Sequence, residues 1–332
     1  TAMSKTMRAV LAEAAGDPET LRIVDRPIPE PGPGQARIRV AYAALNPLDT
    51  HARGGRIKWG HPGFPFVPGY EYSGRVDAVG AGVAPSLIGR RVASVSEWGG
   101  NGEFALATAA RLVPIPDRLS WQLGAAFSTT AVTSWHLVHS AGRVARGMHV
   151  VVHSAAGSVG AVVTQIAKEA GAVVYGLVGG AEKVEYARQF GADHLIDYRH
   201  EAWPAKVKEL SGGRGADLII DGNAGPESVK NYEAIAPLGN VIYIGAMAGQ
   251  APDINVSMLI GKSFSVTGFV QFFHQARTRG SENAEIEEKL ATGRWRIPIE
   301  RVFTLDEVAE AHRLFESRAL RGRSLVRVGG EI

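Results

Sequence analysis

The residues most suited to chemistry lie in Val150–Gly180, "VVVHSAAGSVGAVVTQIAKEAGAVVYGLVGG". An apolar run meets a burst of small residues, Ala155, Ala156, Gly157, Ser158, Val159 and Gly160. A helical pattern follows, then a second apolar run that ends in two glycines. A strand turning sharply into a helix needs this composition. Gly157 is expected to take a conformation barred to other residues, and Gly160 to let the helix approach the strand. The helix N-terminus then offers free N–H groups and a partial positive charge, which suits a pyrophosphate. A tight turn with no ligand is the plainer alternative, but the strand before and the βαβ spacing after are the context a dinucleotide site requires.

The second apolar run ends without an acid. Folds that prefer NAD place Asp or Glu about 20 residues after the glycines, on the ribose 2′-hydroxyl. Here Leu177, Val178, Gly179 and Gly180 carry none, and Lys183 follows within a turn. An open glycine turn with a lysine suits a 2′-phosphate, so the expected cofactor is NADPH. A solvated helical lysine is the alternative reading of Lys183.

These residues need elements to position them. Candidate strands are Val150–His153, Val173–Val178, His194–Ile196, Leu218–Asp221, Val241–Gly245 and Phe264–Thr267, with helical patterns between. Val159–Ala170 and Glu182–Phe190 each end at a glycine placed as a C-cap, Gly171 and Gly191. Strands alternating with helices imply an α/β fold, a doubly wound parallel six-stranded sheet. The first ~125 residues are instead β-rich, with short alternations such as Arg37–Ala41 and Gly74–Val79 between Gly/Pro clusters. "RPIPEPGPGQ" and "KWGHPGFPFVPGYE" read as loops. After residue 270 the pattern is mostly helical and closes on a strand, Ser324–Val328.

The bulk properties narrow the class. The 332 residues are 45% hydrophobic and 21% charged, with a net charge of +3 spread along the chain, so nothing marks a nucleic-acid or membrane surface. No uninterrupted apolar stretch reaches about 18 residues. The opening "TAMSKTMRAV" does not read as a signal peptide, Thr1 and Ala2 read as residues added for expression, and a cytoplasmic location is expected. With no cysteine there is no disulfide, no thiolate nucleophile and no thiolate-bound zinc.

"PGPGQARIRVAYAALNPLDTHARGG", "VPGYEYSGRVDAVGAGV", the glycine turn and "FGADHLIDYRHE" together resemble the zinc-independent medium-chain dehydrogenases/reductases, in the branch of the quinone oxidoreductases and zeta-crystallin. The likeness runs over nearly the whole chain. It implies a GroES-like catalytic domain over 1–125, completed by 271–332, and a Rossmann NADP-binding domain over 126–270. It also implies a homodimer, often paired through the last strand of the nucleotide domain. By the same resemblance Asn46 and Asp49 of "NPLD" lie near the nicotinamide, and His51 stands where many relatives carry tyrosine. His51 is then a candidate donor of a proton or a hydrogen bond to a substrate carbonyl. Asp49 as a structural cap and His51 as a loop residue are the alternatives. Thr133 corresponds to the threonine that meets the nicotinamide carboxamide. Ala156 to Gly160 correspond to the pyrophosphate turn, with Ser158 and Val159 offering N–H groups. Gly179, Lys183, Tyr198 and Arg318 correspond to the adenosine and 2′-phosphate site, and Gly245 and Phe269 to further cofactor contacts. Gly179-Gly180 replaces the family's serine or threonine at the 2′-phosphate turn.

Zinc-dependent relatives place cysteine and a His–Glu pair where this chain has Asn46, Tyr70 and Glu71, a poor donor set for zinc, so no metal is expected. His136 and His139 read as flanking a buried helix face. Without a Lewis acid, reduction of a quinone or activated alkene by hydride transfer is the expected chemistry. Trp59, Phe64, Phe66, Trp98 and Phe272 are candidate pocket walls or, equally, core aromatics. The competing readings are an enoyl-thioester reductase, a non-catalytic NADPH-binding structural or sensory protein and, more distantly, a zinc alcohol dehydrogenase.

Overall fold

The computed structural model describes residues 6–57, 60–95 and 97–332, so Thr1, Ala2 and the candidate wall Trp59 lie outside the described residues. The chain divides into two compact units, one of Thr1–Thr129 with Pro298–Ile332 and one of Thr130–Ile297.

The first unit is β-rich. Strands β1 (Thr6–Ala12) and β2 (Leu21–Pro27) pair antiparallel, and β3 (Gln35–Ala44) is the centre of a larger sheet. Its sequence shows why: Ala36, Ile38 and Val40 are fully buried, and residues 41–44 continue as an apolar run closed in on both faces. The glycine- and proline-rich segment ahead of β3 is the loop expected. Helix α1 (Pro47–Arg53) follows β3 directly, with Pro47 at its first position. Then come β4 (Glu71–Val79), β5 (Arg91–Val95), β6 (Phe104–Thr108), β7 (Val113–Pro114) and helix α2 (Trp121–Ala125).

After α2 the chain passes into the second unit as a helix wound wide, π-helical over Phe127–Val132 and again over Leu137–Ala141, with one α-helical turn α3 (Thr133–His136) between. Six parallel strands follow: β8 (His149–Val152), β9 (Val173–Val178), β10 (His194–Asp197), β11 (Ala216–Asp221), β12 (Ile235–Tyr243) and β13 (Ser265–Gly268). Their order in the sheet is β10-β9-β8-β11-β12-β13, the dinucleotide-binding order with its switch point between β8 and β11. Helices α4 (Ser158–Glu169), α5 (Ala181–Ala187), α6 (Trp203–Leu210), α7 (Val229–Ala234), α8 (Val256–Lys262), α9 (Gln271–Thr278) and α10 (Asn283–Ala291) complete the unit. α4 buries Ala161, Val162, Val163, Ile166 and Ala167, and Gly171, left-handed at φ +88°, stops it one residue beyond its cap. Gly191 does the same after α5 and its 3₁₀ extension, at φ +84°. The chain then returns to the first unit with β14 (Ile299–Thr304), α11 (Val308–Glu316) and β15 (Arg323–Arg327), extending the large sheet to β14-β15-β3-β4-β5-β7 with β6 also on β3.

Three expectations change. The expected domain limits, 125/126 and 270/271, fall at 129/130 and 297/298 in the division into compact units. Residues 271–297 pack inside the second unit because polar anchors tie them to it: Glu282 meets buried His136 at 3.0 Å, and Trp295 Nε1 donates to Glu169 at 2.6 Å. The segment after residue 270 also contains β14, which pairs in parallel with β15. The strand expected at Val241–Gly245 runs Ile235–Tyr243, leaving Gly245 beyond its end.

Candidate active site

In the first unit the predicted residues converge on a buried polar cluster. Asn46 lies two residues beyond β3 and caps α1; Asp49 lies one turn in; Glu71 opens β4. Glu71 is wholly buried and Arg323, from the start of β15, is 4% exposed. Arg323 Nη2 donates to the Glu71 carboxylate, to Asn46 Oδ1 at 3.0 Å and to Thr129 Oγ1 at 2.9 Å, while Nη1 donates to the Leu45 carbonyl at 3.1 Å. The Thr129 N–H donates to Glu71 at 2.7 Å, and its hydroxyl donates to the same carboxylate. Spending the Thr129 N–H on a side chain, not on a helical carbonyl, accounts for the wide winding there. Asn46 and Glu71 stand where zinc-dependent relatives place metal ligands. The structure makes Arg323 the internal cation between them, so the donor set already holds a guanidinium and does not fit a metal ion. Among the described residues no group of three or more His, Cys, Asp and Glu is arranged to hold one.

Asp49 is 1% exposed and accepts from the N–H groups of Asn46 at 2.9 Å, Gly69 at 2.9 Å and Tyr70 at 3.0 Å. It closes the helix N-terminus and fastens the loop that carries Tyr70. Burial pushes its carboxyl up to about 6, against the pull of these three N–H groups and Arg323. His51, half-buried, shows its ring to the side chain of Arg56, whose Nε donates to Nδ1 at 3.2 Å. The aromatics Phe64, Phe66 and Trp98 form one packed cluster with His61 and Tyr70; Phe66 is 5% exposed and belongs to the core. Phe272 is partly exposed on α9 of the second unit.

In the second unit the glycine turn has the expected outline with one correction. The left-handed residue is Ser154, at φ +54°; Gly157 caps α4 in ordinary extended geometry, at φ −86°. Ser154 takes the strain because its carbonyl must turn inward to accept the Gly157 N–H at 2.7 Å. Gly160 does what was expected: a Cβ there would stand 2.3 Å from the Ser154 carbonyl. No side chain caps α4. The N–H groups of Ser158, Val159 and Gly160 therefore open the helix with no carbonyl a turn behind them, and fit a pyrophosphate. Ala156 is buried in this turn, and Gly245 meets Gly222 so closely that a Cβ would come within 2.9 Å of its carbonyl.

The turn at Gly179-Gly180 is not open, as the sequence implied, but roofed. A Cβ on Gly179 would stand 2.6 Å from the Tyr198 hydroxyl and 3.1 Å from Arg199 Nε, and one on Gly180 3.5 Å from Arg199 Nη1. The absent carboxylate is supplied one strand over: buried Asp197 accepts from the Gly180 N–H at 3.0 Å and the Arg199 N–H at 3.1 Å. Burial alone would raise Asp197, but these N–H groups hold it below the ordinary value. Arg199 is the residue the sequence reading missed. It directly follows Tyr198 in "DYRHE", so a basic side chain at the end of the third strand was the available signal. Lys183 lies half-buried in the first turn of α5. Arg318 belongs to the other unit, exposed at a left-handed turn, φ +59°.

The Thr133 hydroxyl donates to Gln271 Oε1. Phe269 stacks on His274 at 5.0 Å, and His136 is fully buried between Ser140 and Glu282.

Two outcomes follow from this geometry. Arg323→Met leaves Glu71 buried without its cation and is expected to cost about 3–5 kcal/mol in urea unfolding, whereas a loss below about 1 kcal/mol would show the pair to be as weak as a solvated one. For Asp49, the folded value of about 6 exceeds the ordinary 3.8, so the folded state binds the proton more tightly. Its contribution is complete below about pH 4 and is lost as pH rises through about 6. Calorimetry over that window should show a flatter pH dependence for Asp49→Asn than for the unaltered chain, and equal slopes would contradict the assignment.

Comparison with known proteins matches residues 32–140 to the alcohol dehydrogenase GroES-like domain and residues 158–283 to the zinc-binding dehydrogenase domain. The quinone oxidoreductase of Pseudomonas aeruginosa is 31% identical over 94% of this chain and 97% of its own length. The 2-haloacrylate reductase of a Burkholderia species is 28% identical over 95% of this chain and 97% of its own. The crystal structure of Escherichia coli quinone oxidoreductase complexed with NADPH superposes with a TM-score of 0.87 at 26% identity, covering 96% of this chain and 99% of that one. With a GroES-like domain, a six-stranded Rossmann sheet and this identity over nearly its whole length, the chain belongs to the medium-chain dehydrogenase/reductase family, in its quinone oxidoreductase branch.

Proposed function

We propose that this protein is an NADPH-dependent oxidoreductase that reduces quinones or activated alkenes by hydride transfer without a metal. The observation that carries the reading is the uncapped N-terminus of α4 at the switch point, beside a glycine turn roofed by Tyr198 and Arg199. The E. coli relative's complex with NADPH and the Burkholderia relative's name support the cofactor and the alkene side of the substrate class.

Bound NADPH supplies a hydride to the acceptor. The chain's own work is binding, orientation and charge. Ser158 and Val159 give N–H groups to the pyrophosphate, Thr133 meets the carboxamide, and Ala156, Gly157, Gly160 and Gly245 keep the backbone close. Lys183 and Arg199, with Tyr198 alongside, take the 2′-phosphate; Arg318 and Phe269 are carried as cofactor contacts by resemblance. His51 faces the acceptor, Asn46 acts by holding the Glu71–Arg323 cluster beneath it, and Asp49 acts by holding α1. The guanidinium of Arg323 in place of a metal ligand set favours an acceptor whose own resonance spreads the arriving charge.

We also assign a homodimer. Among the described residues β13 pairs with β12 alone, and Val256 and Ile260 on α8 and Phe273 on α9, the helices before and after it in the chain, are 63%, 73% and 76% exposed. Among the described residues no helix is long and apolar enough to cross a membrane, and we place the protein in the cytoplasm.

Lys183→Ala and Arg199→Ala should each weaken NADPH binding about tenfold or more, as loss of a charge-assisted contact does, and leave NADH binding nearly unchanged. Equal losses for both dinucleotides would remove the 2′-phosphate assignment. Light scattering should return a mass twice the 35.3 kDa chain, and a single-chain mass would overturn the dimer.

A further inference from the structure

Four groups of the first unit meet around His51. Arg56 Nε donates to His51 Nδ1 at 3.2 Å. Arg56 Nη2 donates to the Thr50 carbonyl at 3.3 Å and to Glu316 Oε1 at 2.9 Å. The same Glu316 oxygen accepts from Arg53 Nη2 at 2.7 Å, and Arg53 is 1% exposed. Gly54 leaves room for the arrangement: a Cβ there would stand 3.2 Å from Arg56 Cζ. The guanidinium is thus held from the α11 side and by the α1 backbone, and spends its Nε–H on one ring nitrogen.

A guanidinium only donates, so His51 Nδ1 must accept, and the ring proton must sit on Nε2. We propose that Arg56 is a positioning residue that locks His51 as the neutral Nε2–H tautomer, so that His51 gives the substrate oxygen a hydrogen bond and not a proton. The proposal rests on the reading of His51 as an acceptor-facing residue. Electrostatics agree with the geometry. Burial and then the Arg56 charge lower the His51 pKa, and the nearby carboxylate, Glu316, opposes them only in part. Glu316 is already shared by two guanidinium groups.

The chemistry then balances simply. Hydride transfer brings two electrons and one hydrogen to the acceptor and leaves negative charge on its oxygen. The His51 Nε2–H stabilises that charge while staying on the ring, and water supplies the proton that completes reduction. A neutral imidazole in this role needs its protonation suppressed and its tautomer fixed; burial and the Arg56 charge together meet the first condition, and the Arg56 hydrogen bond meets the second.

The test uses the full chain with NADPH and 9,10-phenanthrenequinone. His51→Phe should lower kcat/KM by about tenfold to a hundredfold, and His51→Gln, which keeps a donor, should restore much of it. Unchanged turnover in His51→Phe would overturn both the underlying reading and this inference. With that reading intact, ¹⁵N imidazole spectra should show the Nε2–H tautomer in the unaltered protein. Arg56→Met should mix the tautomers and raise the His51 pKa toward the ordinary value of about 6.5. Its kcat/KM profile should then gain an inflection there, rising at lower pH because imidazolium is the stronger donor. Arg56→Lys should leave a smaller change. An Arg56→Met protein with unaltered ¹⁵N signature and pH profile would overturn the positioning role while leaving the assignment of His51 standing.

Discussion

The first unit is organised around a carboxylate that has nowhere to go. Glu71 is fully buried, and a bare carboxylate there would cost several kcal/mol. Four groups from three separate parts of the chain make it tolerable: Arg323 at the start of β15, Asn46 just beyond β3, and the hydroxyl and N–H of Thr129. Each requirement shapes an element. The final strand must return to the β3 edge to deliver Arg323. The wide helix after α2 must release one N–H to the carboxylate. Asn46 must begin α1, which sets Asp49 under the loop at Gly69-Tyr70 and His51 two residues further along.

The second unit answers a different constraint, that of presenting a helix end to an anion. The switch-point topology leaves room beyond β8, Ser154 bends the chain, and Gly160 lets α4 close onto the turn. Two strands away the same logic recurs with side chains. Asp197 pins the Gly180 backbone, and the two glycines give Tyr198 and Arg199 space to lie over the turn. Placing the acid at the end of the third strand, not the second, lets a cation and a phenol occupy the position where a ribose-binding carboxylate stands in other folds of this type.

Much of this was legible in the residues. Strand–helix alternation from Val150 to Thr267 identified the parallel sheet, because apolar runs of strand length bounded by glycines leave few alternatives. Gly160 was legible as a close approach, and Gly171 and Gly191 as helix stops. What stayed hidden depends on contacts between residues far apart in sequence. Arg323 carries no local sign of its role because its partner is 252 positions away. Arg199 was overlooked because nothing local says that it folds back over Gly179. β14 was missed because its apolar positions gain meaning only beside β15. Gly157 was given the strained conformation by pattern, whereas hydrogen bonding assigns it to Ser154. Most of the aromatics considered as pocket walls resolve into packing, Phe66 most clearly.

The central claim is that a basic, roofed glycine turn and an uncapped helix make this an NADPH-dependent reductase. The most direct measurement is a titration of the purified protein with NADPH and NADH, followed by NADPH oxidation with 9,10-phenanthrenequinone, 1,4-benzoquinone and an alkenal after treatment with a chelator. The expected result is tighter binding of NADPH than NADH, and turnover of at least one acceptor that the chelator leaves intact. Preference for NADH, or binding with no turnover of any acceptor, would contradict it.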